Sequence, residues 1–205
     1  MKRIFYLVCV FTMACLCHLH AQNRARDEEP KVLFGGEKIN ISGFGGIILE
    51  FSSIEGHAAI MNGGGGAVLF NRSLFLGGYG LSLSNSVHKD AMGIRRETSF
   101  THGGFYAGYV FFPHKLVHFG VSNKLGWGVL RLTPEDDFLS NTSPISDNVF
   151  VWVPQLDAEM NFSHWFKVNA GVGYRTVSAI NNSFYDNKDF SSPSFTLSFL
   201  FGWFK

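Results

Sequence analysis

The sequence predicts an all-β fold, with eight antiparallel strands closed into an up-and-down transmembrane barrel. Three observations carry this expectation. Apolar and polar residues alternate with period two over long stretches, and the links between those stretches alternate between short and long. No apolar run reaches the ~20 residues that a membrane-spanning helix needs, and no stretch shows a convincing apolar repeat of helical period.

Composition agrees. Of 205 residues, 46% are hydrophobic and 16% charged, with 23 Gly and 22 Phe. Ordinary soluble domains carry about 25% charged residues. A net charge of +1 leaves no basic excess for nucleic acid. The high apolar content excludes a disordered chain.

Residues 1–21 read as a secretory signal peptide. Lys2 and Arg3 form the positive start, Ile4 to Cys17 the apolar stretch, and Leu19 and Ala21 the cleavage site. Cys9, Cys15 and Cys17 all lie there, so the chain from Gln22 holds no disulfide or cysteine-ligated metal. Residues 22–37 are polar and mixed in charge, an exposed N-terminal segment. Residues 38–205 form the barrel domain.

Strands are expected near 39–52, 57–70, 73–84, 103–112, 115–131, 147–161, 165–178 and 193–204. The alternation is clearest in the last three. Phe150, Trp152, Leu156, Ala158, Met160 and Phe162 share one face of the sixth strand, and Gln155, Asp157 and Glu159 the other. Phe195, Leu197, Phe199, Phe201 and Trp203 share a face of the eighth. Both faces of the second and third strands are apolar or glycine, which leaves their facing open.

Asn71–Arg72, Pro113–His114 and Ser163–His164 mark tight turns. Residues 85–102, 132–146 and 179–192 mark long polar loops, while the short link Ser53–Gly56 breaks the pattern. A soluble barrel would turn its bulky residues inward. Here they are too large for an eight-stranded lumen, and the residues opposite them are small or charged. Trp127 and Trp152 fall near the long-loop ends of their strands, and Trp165 and Trp203 near the short-turn end, as two membrane-interface girdles require.

Asp157, Glu159, Lys167 and Arg175 are expected to form a lumen charge network that plugs the pore, because an orphaned buried charge is costly. A three-residue turn at 162–164 sets Glu159 opposite Lys167 and Asp157 opposite Asn169, with Arg175 higher up. Polar lumen packing outweighs a catalytic role for His118 and Ser122 beside those acids, and no catalytic residue is assigned. No metal or cofactor site is assigned. His57, His88 and His102 are expected on the outer side, and Asn62–Gly66 lacks the Lys-Ser/Thr of a phosphate loop.

The segment 43–85, with its glycine-rich second strand, Asn-Arg turn and GGYG third strand, resembles small outer-membrane barrels of the OmpA/OmpX/OmpW-like superfamily. More narrowly, it is similar to uncharacterised barrel proteins of Bacteroidota type. The ending FLFGWFK is similar to a barrel assembly signal, with Phe204 as its aromatic and Lys205 as a departure. The resemblance implies an integral protein of the cell outer membrane, released by cleavage near Ala21, with a structural or protein-interaction role. An accessory subunit of an envelope complex fits that role. A narrow channel or a lipid-modifying enzyme are the alternatives. Implied partners are outer-membrane lipid, the barrel assembly machinery and an envelope protein. The acidic loop 133–147 and the aromatic-bearing loop 179–192 are the candidate surfaces to meet that protein, and the aromatics of 179–192 could equally pack across the barrel mouth.

Overall fold

The computed structural model describes residues 39–91, 94–134 and 144–204. The signal peptide, its cleavage site, the 22–37 segment and the acidic run Glu135–Asp137 lie outside them. The elements run β1 (Ile41–Ile54), β2 (His57–Phe70), β3 (Leu74–Leu83), β4 (Val87–Ala91), β5 (Ile94–Phe111), β6 (Val117–Pro134), β7 (Ile145–Asn161), β8 (Phe166–Ser178), α1 (Asn187–Phe190) and β9 (Ser192–Gly202).

Every neighbouring pair is antiparallel. β1 pairs with β9 and β3 with β5, so eight strands close on themselves. The short β4 folds back along the upper part of β5. Following paired residues around the ring gives the stagger. Thr101 on β5 leads through Ser82, Asn62, Leu49, Leu197, Ala170, Ala158 and Phe119 back to β5 at Phe111, ten residues further along. Ten residues of about 3.3 Å against eight strands about 4.8 Å apart tilt the strands by about 40°. Each residue then climbs about 2.5 Å along the barrel axis.

The long-loop end differs from the expectation. Residues 85–102 are not a loop. β5 starts at Ile94 and pairs with β4 and with β6 up to Pro134. Arg96, Thr98, Phe100 and His102 face inward there, while Ser99 and Thr101 face out. The outer face has turned polar, and a strand without an apolar outer face reads as a loop in the sequence. β6 and β7 likewise extend into the expected 133–147 loop. These walls rise about 15 Å beyond Trp127. The β1–β2 link is a two-residue turn in which Glu55 and Gly56 both have positive φ, the twist that suits a hairpin.

The facing of β2 and β3 is settled. Ile60, Val68 and Leu76 point out, while Met61, Leu69, Phe75, Tyr79 and Leu81 point in. Glycines make room for the inward rings, since a Cβ at Gly126 would lie 2.9 Å from the Tyr79 hydroxyl oxygen. The Asn62–Gly66 tract is wall, with Gly63 and Gly65 on the inner face. A Cβ at Gly77 would run into the Gly66 carbonyl and Ala67, whereas one at Gly80 meets open space. Gly77→Ala is expected to destabilise by about 1–3 kcal/mol. Gly80→Ala should be neutral or stabilising by about 0.5 kcal/mol. Urea unfolding of the lipid-embedded protein measures both.

Candidate functional site

The barrel interior stacks in layers. Nearest the short turns, Glu159 on β7 accepts from His118 Nε2 on β6 at 2.8 Å and from Lys167 Nζ on β8 at 2.6 Å. Lys167 also lies 4.2 Å from the centre of the Phe204 ring. The expected register is corrected here. Asn161 pairs with Lys167 and Glu159 with Asn169, while Asp157 faces Gly171, so the Glu159–Lys167 contact is diagonal. The turn comprises 163–165 instead of 162–164. The Ser163 hydroxyl accepts from the backbone N–H groups of Trp165 and Phe166, which draws Trp165 into the turn.

Above this, a chain of polar contacts climbs the lumen. Ser122 donates to Asp157 Oδ2 at 2.6 Å, and the Gln155 amide donates to Oδ1. Gln155 Oε1 accepts from Thr196 at 2.9 Å and from Lys124 Nζ at 3.3 Å. Lys124 reaches Glu50 Oε2 at 3.3 Å, and Arg175 Nη1 reaches Oε1 at 3.2 Å. Glu50 and Arg175 are 0% exposed and Lys124 1%. Arg175 further donates to the carbonyls of Ser53 and Phe190 and to the Ser52 hydroxyl. The structure therefore places Asp157, Glu159 and Lys167 low in the lumen and Arg175 higher, on Glu50.

The sequence did not assign Glu50, Lys124, Gln155 or Thr196 to the network, although Gln155 shares the polar face of Asp157 and Glu159. A signal existed, because Glu50 is the lone charge in a wall strand of apolar, Gly and Ser residues. Such a charge faces inward in a membrane barrel.

His118 and Ser122 engage different acids, so neither activates the other. His102 lies toward the long-loop end, level with Gly128 beside Trp127, but points into the lumen rather than out of a loop. It is buried inside β5, where Nδ1 is 3.2 Å from the Tyr79 hydroxyl. His57 and His88 do lie at the long-loop end, on β2 and β4. Among the described residues no three His, Cys, Asp or Glu side chains gather as metal ligands.

The long-loop mouth is capped from within. The aromatics of residues 179–192 were left open between meeting a partner and packing across the barrel mouth, and the structure shows Tyr185 and Phe190 packed in the mouth. Phe190 is fully buried, its ring centre 5.2 Å from that of Phe100 and 5.0 Å from that of Tyr185. The Tyr185 hydroxyl is 2.7 Å from Thr98 Oγ1, and burial raises its pKa above the ordinary value. The hydrophobic gain of filling the mouth outweighs presenting these rings to water. Asp147 anchors the segment by accepting from the Asn182 backbone N–H and side-chain amide.

Below the network, between Phe44, Phe75, Tyr106, Asp157, Glu159 and Asn169, about 20 Å³ stays empty. That is room for about one water. At the short-turn mouth, a wider cavity of about 530 Å³ is lined by Arg72, His114, Leu116, Phe162, His164, Lys167 and Phe204 among others.

The outer face is apolar. Ile47, Phe105, Phe119, Leu156, Val172 and Phe201 are exposed along it. All four tryptophans point outward. The tilt places Trp127 and Trp152 about 25 Å above Trp165 and Trp203, the height of the apolar band on outer-membrane barrels. Phe204 faces the lumen side, 6.2 Å from the Phe44 ring. The outward aromatic nearest the chain end is Trp203.

No protein-family profile matches the chain, and no curated protein sequence does. Solved structures do match. Neisserial surface protein A is 11% identical, with a TM-score of 0.54, covering 82% of this chain and 100% of that one. The N-terminal β-barrel domain of Pseudomonas aeruginosa OprF is 12% identical, with a TM-score of 0.53, covering 81% and 100%. The fold is that of the small eight-stranded outer-membrane barrels.

Proposed function

We propose that the protein is an integral outer-membrane β-barrel that acts as a structural or interaction component of the envelope, through its long-loop end. The observation that carries this reading is the outer apolar band between two tryptophan levels. Water would gain nothing from that surface, while lipid chains match it. The filled lumen supports an interaction role over transport. Lys124, Glu50 and Arg175 lock the middle of the barrel, and Phe100, Tyr185 and Phe190 close its mouth. The separate acid partners of His118 and Ser122 support a non-enzymatic role.

The tall wall of β4 to β7 is the surface offered to an envelope partner, with β4 ending the sheet. The aromatic row Phe195, Phe199, Phe201 and Trp203 on β9 is what we assign to the barrel assembly machinery, since Phe204 is turned toward Phe44 and Lys167. Signal-peptide cleavage near Ala21 completes the route to the outer membrane.

Fractionation of cells tests the location. The protein should stay with outer membranes after carbonate washing and require detergent for release. Recovery in the soluble fraction would overturn the reading. In planar bilayers the folded protein is expected to show no steady conductance, and a persistent open pore would reinstate the channel. Co-purification in mild detergent, with and without the β4 segment Val87–Ala91, tests the partner, and loss of the co-purifying protein on removing β4 is the expected result.

A further inference from the structure

The two ends of the barrel differ in charge. Among the described residues, every titratable group in the short turns is basic: Arg72 after β2, His114 and Lys115 after β5, and His164 after β7. The nearest acids among the described residues, Asp157 and Glu159, lie deeper and are held by Ser122, Gln155, His118 and Lys167. The opposite end mixes signs, with Glu55, Asp90, Glu97, Asp147, Asp186 and Asp189 beside its cations.

Three of these basic residues meet in one place. Arg72, His114 and His164 come from three separate turns and line the 530 Å³ cavity at the short-turn mouth. Leu69 and Phe204 lie at its base, while Leu116 and Phe162 form part of its wall. Leu116 and Phe162 are also among the most exposed apolar side chains, at the same level as Trp165 and Trp203. The cup therefore opens toward the apolar girdle as well as along the barrel axis.

We propose that this cup seats the phosphate of an anionic phospholipid headgroup from the adjacent leaflet. The inference rests on the membrane reading above. Arg72 supplies charge-assisted donors to phosphate oxygens, and His114 and His164 supply ring N–H donors. Leu116 and Phe162 cover the first carbons of the acyl chains. A soluble anion would use only the basic half of the lining, whereas a lipid uses both halves.

The test is a titration of the protein folded in dodecylphosphocholine micelles, followed by NMR. The probes are dihexanoyl phosphatidylglycerol, dihexanoyl phosphatidylcholine and inorganic phosphate. The expected result is a saturable shift of the Arg72, His114 and His164 signals with phosphatidylglycerol alone. Arg72→Asn, which tolerates the positive φ at this turn, should weaken that response about tenfold or more, because charge-assisted hydrogen bonds to the phosphate are lost. His164→Gln should weaken it less. Equal shifts with inorganic phosphate, equal shifts with phosphatidylcholine, or no response to phosphatidylglycerol would each overturn the proposal. A dispersed amide spectrum reports the barrel separately. A folded barrel that ignores phosphatidylglycerol refutes only the cup, while a chain that folds in buffer without detergent refutes the membrane reading too.

Discussion

Glu50→Ala is expected to destabilise the folded barrel by about 3–5 kcal/mol, the usual cost of removing one partner from a buried ion pair. Glu50 is wholly buried and is the only carboxylate that Lys124 and Arg175 contact among the described residues. Its removal leaves two cations in a lumen without bulk water. Lys124 keeps Gln155 and Thr196, and Arg175 keeps the Ser53 and Phe190 carbonyls, but neither set carries negative charge. Glu50→Gln should cost less, because an amide oxygen still accepts. Lys124→Met in the Glu50→Ala background should recover part of the loss, since one orphaned cation is gone. Urea titration of the protein in lipid vesicles, read by tryptophan fluorescence, measures all three. A Glu50→Ala barrel as stable as the parent would show that the network does not hold the lumen together.

Leu156→Arg carries the second large effect. Leu156 is 63% exposed on the outer face of β7, midway between the two tryptophan levels. An arginine at the middle of the bilayer should cost about 2–4 kcal/mol. Asn148→Arg lies on the same face of β7, above Trp152, and should cost about 0–1 kcal/mol. A soluble barrel would tolerate both substitutions, because each side chain would then meet water. The difference between the two variants, measured by the same titration, reads the depth of the band directly. Equal stabilities would remove the basis for placing this surface in lipid.

How much of this could be read from the sequence differs from strand to strand. β7 and β8 were legible because one face is apolar and the other carries Asp157, Glu159, Lys167 and Arg175. The bounds of β2 and β3 were legible but their facing was not, since Met61, Leu81 and Tyr79 fill the inside while Ile60 and Leu76 face out. The upper half of β5 was lost for the opposite reason, having no apolar outer face to mark it. The network was half legible. Its lower members sit on the clearest strands, whereas Glu50 and Lys124 sit in glycine-rich and apolar stretches. The sequence left the aromatics of 179–192 open between a partner and the barrel mouth, because nothing local records whether the mouth is empty.

The sequence by itself determined that the chain is built of long alternating strands, which side chains on the last three strands share a face, and, to within a residue, where the tight turns fall. These are properties of neighbours in the chain, set by the two-residue pleat. Only the tertiary structure decided that Arg175 meets Glu50 and that Lys167 meets Glu159 on the diagonal. Those partners depend on a ten-residue stagger accumulated around eight strands and on a turn one residue from its expected place. Register is a sum over the whole ring, so no local stretch of sequence contains it.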